Sequence, residues 1–155
     1  SHVDERGSAR MVDVSAKKIS RRTAIASALV RMRADTLERI RQGNMPKGEV
    51  LNTARIAGIL AAKRVDQTIP LTHSLPLDHV EIDFSFLQQG IRIEARASVR
   101  ARTGVEMEAL TAAAVAALTV YDMAKALDRE MTITDLRLDY KSGGTSGTWA
   151  REKRR

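Results

Sequence analysis

The stretch "VYDMAKAL", residues 120–127, sets an acid and an ammonium three residues apart near the end of an otherwise apolar run. At 100° per residue, Glu108, Thr111, Val115, Leu118, Asp122 and Lys125 share one helical arc about 100° wide. Leu110, Ala114, Ala117, Tyr121 and Ala124 fill another. As a solvated i,i+3 pair, Asp122 and Lys125 contribute only ~0.2–0.5 kcal/mol. Inside a pocket, the same pair is an acid–base couple. Each partner then holds the other charged until a substrate intervenes. Spacing alone leaves both readings open.

Other residues with chemistry to offer are scattered. "TGVEMEAL" puts Glu106 and Glu108 at a helix start, where the positive end of the helix favours carboxylates. That explanation does not reach the continuation of the stripe to Asp122 and Lys125. His73 lies between Pro70 and Pro76 in "IPLTHSLPL". It is either a hydrogen-bonded structural group or one that titrates near neutrality in a site. Lys47-Gly48 opens a helix, and Lys63 lies later on it. "KSGGTSG", from Lys141, has the composition of a phosphate-cradling loop but not P-loop spacing, in which lysine follows the glycines. Its plainer reading is a flexible exit, although lysines beside a helix N-terminus can bind phosphate. Three histidines and no cysteine give no metal-ligand spacing, so no metal site is expected.

These residues need elements to carry them. In "TAIASALVRM" the alternation favours a strand, while the alanines keep a helix open. "ADTLERIRQG" reads as a short helix, capped by Asp35 and ended by Gly43. "GEVLNTARIAGILAAKRV" is a second helix. Val50, Ala54, Ala57 and Ala61 recur on one face beside Leu51 and Gly58, small enough for another backbone to come close. Val80, Ile82, Phe84 and Phe86 alternate with polar residues. Beyond a short loop, Ile91, Ile93, Ala95, Ala97 and Val99 do the same, so the two runs form a hairpin. Residues 106–127 are the long helix, and "MTITDLRLDYK" is the last strand, with Ile133, Leu136 and Leu138 toward the core. The order matches an α+β, ferredoxin-like βαββαβ plan, an antiparallel sheet with helices on one face. That plan decides no function.

Composition bounds the rest. The 155 residues suffice for one domain with its own core. The expected organisation is a flexible segment at 1–10, a single domain at 11–147 and a basic tail at 148–155. The net charge is +7, but residues 1–22 carry +3 and residues 151–155 another +3. The middle is left at +1, so the basic excess belongs to the ends and no nucleic-acid face is expected. No signal peptide and no membrane-length apolar run stand out, and cysteine is absent. A cytoplasmic protein is expected.

Five stretches together carry a resemblance: "MVDVSAKK" (11–18), "KGEVLNTARIAGILAAKR" (47–64), "IPLTHSLPL" (69–77), "TGVEMEALTAAAVAALTVYDMAKAL" (103–127) and "KSGGTSG" (141–147). They resemble the cyclic pyranopterin monophosphate synthase family of molybdenum cofactor biosynthesis. The resemblance implies conversion of a nucleotide-derived substrate, 3′,8-cyclo-7,8-dihydro-GTP, to cyclic pyranopterin monophosphate with loss of pyrophosphate. It makes Asp122 catalytic, with Lys125, Lys47 and His73 beside it. Leu71, Thr72 and His73 form one substrate-binding segment, and Met107 and Glu108 another. Glu106, Lys47, Lys63, Lys141 and Arg22 would line the pocket. The resemblance further implies a pocket shared between two subunits, in a hexamer of three dimers. The arm with Asp13 and Arg22 would then serve the partner. No cofactor is required, though Mg²⁺ can arrive with a triphosphate.

The sequence departs from the family pattern twice. The usual Cys-His-Pro is Thr72-His73-Ser74, and Thr145 replaces a lysine in the glycine-rich loop. Those departures keep one rival in view, an inactive relative retained for assembly. A second rival is a ferredoxin-like RNA-binding module, which would need a stacking platform of sheet aromatics.

Overall fold

A computed structural model describes residues 7–152. Part of the expected flexible N-terminal segment, with His2, and the last three residues of the basic tail lie outside them. Five strands and three α-helices follow in the order β1 (Ser20–Arg31), α1 (Ala34–Arg41), α2 (Val50–Ala62), β2 (His79–Leu87), β3 (Gly90–Ala101), α3 (Glu106–Ala124), β4 (Thr132–Ser142) and β5 (Trp149–Ala150). The sheet runs β2-β3-β1-β4-β5, and every neighbouring pair is antiparallel. This is the ferredoxin-like plan, with β5 added at one edge.

The alanine-rich first segment is a strand because its alternation is read from both sides. Ala24, Ala26, Ala28 and Val30 are buried toward the helices. They lie opposite Ala97, Ala95, Ile93 and Ile91 of β3. Small side chains here let α3 settle close to the sheet. By length and composition α3 is apolar enough to cross a bilayer. Here it is the core helix of a two-layer domain: Ala109, Ala112, Ala113, Ala116, Ala117 and Val120 are wholly buried. α2 buries Val50, Ala54, Gly58 and Ala62 against it.

Two local expectations are corrected. α1 starts two residues earlier than a cap at Asp35 would place it, at Ala34, after Arg33, which gives no side-chain cap. Asp35 sits in the first turn and accepts from the Thr36 amide at 2.9 Å. The Arg33 amide is instead held at 2.9 Å by Asp128, a buried carboxylate 95 residues away. Leu136 is 47% exposed rather than in the core. The β1–β4 register shifts twice, and Asp135, at the second shift, has φ +55°. Such bulges break the period of two and turn the following side chain to the other face.

Gly58 sets the distance between α2 and α3. A Cβ there would stand 2.7 Å from the Ala112 carbonyl oxygen and 2.3 Å from Ile82 Cδ1. The carbonyl cannot move without the helix. Gly58→Val should therefore destabilise the fold by about 1–3 kcal/mol, read as a lower urea midpoint at unchanged slope.

Candidate functional site

The two ends of α3 carry different chemistry. At its C-terminal end Asp122 is held between two lysines. Lys125, one turn on, approaches Asp122 Oδ1 at 2.7 Å. Lys47 comes from the loop between α1 and α2, where Met45 is buried and anchors the chain. It donates to Asp122 Oδ2 at 2.8 Å and to the Asp122 backbone oxygen at 3.1 Å. The pair seen in the sequence is thus a triad, completed by a residue 75 positions away. The hydrogen bond from Lys125, then that from Lys47, hold the Asp122 carboxyl down at about 2. At neutral pH Asp122 is an anion held between the two lysines, a weak base for as long as both stay hydrogen-bonded to it. All three side chains are about half exposed.

At the N-terminal end of α3 the side chains line a half-open cavity. Leu71, Thr72 and His73 face Met107 and Glu108 across a cavity of about 360 Å³, roofed by Val12 and Val14 of the N-terminal arm. His73 Nε2 lies 2.9 Å from the Val12 carbonyl oxygen. A carbonyl only accepts, so Nε2 carries the hydrogen and the neutral ring keeps its lone pair on Nδ1. Thr72 donates its hydroxyl to the Ile69 carbonyl at 2.8 Å, within its own connection. Glu108 is 3% exposed. Among the described residues it has no cationic partner. Burial, reinforced by the charges of Glu106 and Asp66, pushes its carboxyl up to about 7.

A larger cleft of about 660 Å³ adjoins this cavity and shares Lys17, Thr103, Gly104 and Glu106 with it. Its further lining includes Lys18, Arg22, Arg102, Lys141 and Thr145. Lys141 pairs with Glu106 at 3.1 Å. The glycines of "KSGGTSG" cross directly over Arg22. Gly143 and Gly144 have φ of +100° and +73°, and a Cβ on Gly144 would fall 1.7 Å from Arg22 Nη1. This composition is therefore a packing requirement above a cation. Five cationic side chains against one carboxylate make the cleft suited to a polyanion.

Most of the expected residues thus fall into two groups. Asp122, Lys125 and Lys47 form one. Leu71, Thr72, His73, Glu106, Met107, Glu108, Lys141 and Arg22 form the other. A helix of 19 residues is roughly 28 Å long, so one chain does not bring the groups together. Lys63 follows α2 as its exposed C-cap residue and lines neither cavity. Asp13 is exposed on the arm and accepts from the Ser15 amide at 2.8 Å. Sequence reasoning did not single out Lys17, Lys18 or Arg102. The adjacent lysines of "MVDVSAKK" were the only signal for the arm. Arg102, just past β3, continues the spacing of Arg92, Arg96 and Arg100 in that strand, so nothing set it apart. Phe84 and Phe86 pack against the core on the helix side of the sheet, with Arg55 and Arg41 over their rings.

Fold and site together define an α+β protein with a carboxylate held between two lysines and a half-open, cation-rich cleft suited to an anionic small molecule. The family model described as the MoaC family matches residues 11–144. A "Cyclic pyranopterin monophosphate synthase" of Novosphingobium aromaticivorans is 58% identical over 149 residues, 96% of this chain and 95% of the relative. One of Thermomicrobium roseum is 56% identical over 154 residues, 98% of this chain and 93% of the relative. The chain belongs to the MoaC family.

The raised Glu108 carboxyl makes stability depend on pH. Its folded value of about 7 exceeds the ordinary glutamate value of 4.5. Between them the folded state binds the extra proton, so stability falls as pH rises through this window and levels off above it. Glu108→Gln should abolish that slope. At pH 8 the variant should be the more stable by on the order of 3 kcal/mol at most, measured by denaturant titration across pH 4–9.

Proposed function

We infer that this chain is a cyclic pyranopterin monophosphate synthase, a lyase acting in molybdenum cofactor biosynthesis. It converts 3′,8-cyclo-7,8-dihydro-GTP to cyclic pyranopterin monophosphate and releases pyrophosphate. The observation that carries the reading is one ionised carboxylate, Asp122, held between Lys47 and Lys125 from separate elements. A base flanked by two proton donors can move protons on a rearranging substrate without changing its net charge. Glu108 and the Leu71–Thr72–His73 segment suit the ring system, with the Glu108 carboxyl able to donate a hydrogen bond while protonated. Lys141, Arg22 and the lysines of the arm suit the phosphates, and their charge would stabilise departing pyrophosphate.

Such a substrate has to meet both ends of α3. A second copy with its α3 antiparallel would set one Asp122 end beside the other copy's Glu108 end. Ile56 and Leu60 on α2 and Leu118 on α3 are 54%, 46% and 57% exposed, an apolar surface such a dimer would cover. Three such dimers give the hexamer that the family resemblance implies. The arm, which roofs its own chain's His73 here, would then reach the partner's site with Asp13, whereas Arg22, expected on the arm, belongs to β1 and stays on its own chain's cleft wall. The reading requires no metal held by the chain. Mg²⁺ would come with the triphosphate. A cytoplasmic location suits a chain without cysteine. An RNA-binding role is less well supported, because Phe84 and Phe86 lie on the covered face of the sheet.

Pyrophosphate release from 3′,8-cyclo-7,8-dihydro-GTP tests the activity. The wild-type chain should release it, and Asp122→Ala should lose a factor of about 10²–10⁴ in kcat. No release from folded, oligomeric wild-type protein would turn the reading to an inactive relative, with Thr72 and Ser74 the first substitutions to reverse.

A further inference from the structure

The larger cleft is assembled from separate segments. Lys17 and Lys18 reach it from the arm, Arg22 from β1 and Lys141 from the end of β4. Before any anion binds, these like charges repel one another, and the exposed arm gains entropy by leaving. Arg102, the residue after β3, opposes both tendencies. Its Nε donates to the Lys17 carbonyl oxygen at 3.1 Å. Its own carbonyl accepts from Arg22 Nη2 at 3.2 Å. The first bond uses the backbone of Lys17 and leaves its ammonium unused. The second leaves Arg22 Nε buried and without a hydrogen-bond partner. Ser20 Oγ, also on the cleft wall, is buried and unpartnered as well. Buried donors without acceptors are costly unless a ligand supplies the acceptor.

We propose that Arg102 is a positioning residue of this cleft, fastening the arm at Lys17 and propping Arg22 so that both cations face one phosphate-class ligand. The proposal rests on the anion-binding reading given above. A guanidinium suits the task because its Nε donates in a fixed direction while the rest of the fork stays on the cleft wall. Lysine would keep the charge but not that direction. The prop under Arg22 uses the Arg102 backbone, so it survives any side-chain change there. Substituting Arg102 therefore frees the arm alone.

Arg102→Ala and Arg102→Lys in the full chain provide the test, with two readouts. Limited trypsin digestion read by mass follows cleavage after Lys17, the residue whose carbonyl the clamp occupies. Inorganic pyrophosphate serves as the probe ligand. Both variants should be cut there at least about tenfold faster than wild type, the worth of one hydrogen bond from a charged group, with melting temperature unchanged. Pyrophosphate should slow the cut in wild type and do so less in the variants. Steady-state kinetics should show KM raised about tenfold with kcat within about twofold, as expected when binding geometry rather than chemistry is lost. Unchanged cleavage in Arg102→Ala would overturn the proposal. So would wild-type cleavage and KM in Arg102→Lys, which would reduce Arg102 to a charge. A wild-type chain that releases no pyrophosphate, yet shows the cleavage difference, would overturn the activity and leave the clamp standing.

Discussion

α3 is buried on two sides, by the sheet beneath it and by α2 beside it. Six of the nine residues it buries are alanine, and a Cβ on Gly58 would already collide with its backbone. So close a fit leaves no room for long polar side chains on those two faces of the helix. They are displaced to its two ends, Glu106 and Glu108 at one and Asp122 and Lys125 at the other. An acid and an ammonium close the apolar run because they lie where the packing stops. The same packing fixes the helix ends rigidly against the sheet, as a catalytic arrangement requires.

The two ends tune their carboxyls in opposite directions. Asp122 is open to solvent, and two lysines hold it ionised. Glu108 is shut away from cations, and burial holds it near neutrality. Divergent environments of this kind assign different roles to like groups. On this chain they separate a proton-accepting anion from a carboxyl that can donate a hydrogen bond at neutral pH. The cation-rich cleft lies at the Glu108 end, where the proposed function would place the ring and the phosphates. The Asp122 triad lies at the other end and, in the proposed dimer, would be supplied by the neighbouring copy.

What the sequence revealed follows from how local each signal is. The β2–β3 hairpin was plain because Val80–Phe86 and Ile91–Val99 alternate without interruption. β1 was ambiguous because alanine serves strand and helix alike, and only its partners on both sides decide. Leu136 was misplaced because a bulge resets the period, and no residue type announces one. Asp35 was a reasonable cap by local rules, but the helix starts before it, after Arg33, whose amide Asp128 holds from across the fold. Asp122, Lys125 and His73 stood out as polar groups in apolar or proline-bounded surroundings. The completion of the triad by Lys47 and the clamp formed by Arg102 are long-range contacts, 75 and 85 residues apart. Spacing cannot show such contacts, although the family resemblance had already counted Lys47 and Asp122 among the residues of one site.

Subunit complementation asks whether the two ends of α3 from different copies make one site. Asp122→Ala and His73→Ala, each inactive alone, would be unfolded together, refolded as a mixture and assayed for pyrophosphate release. If the site is shared across a two-fold interface, mixed dimers carry one intact site, and roughly a quarter of wild-type activity should return. No recovery, in a mixture shown by mass to contain mixed oligomers, would contradict a shared site and require each chain to work with its own two ends.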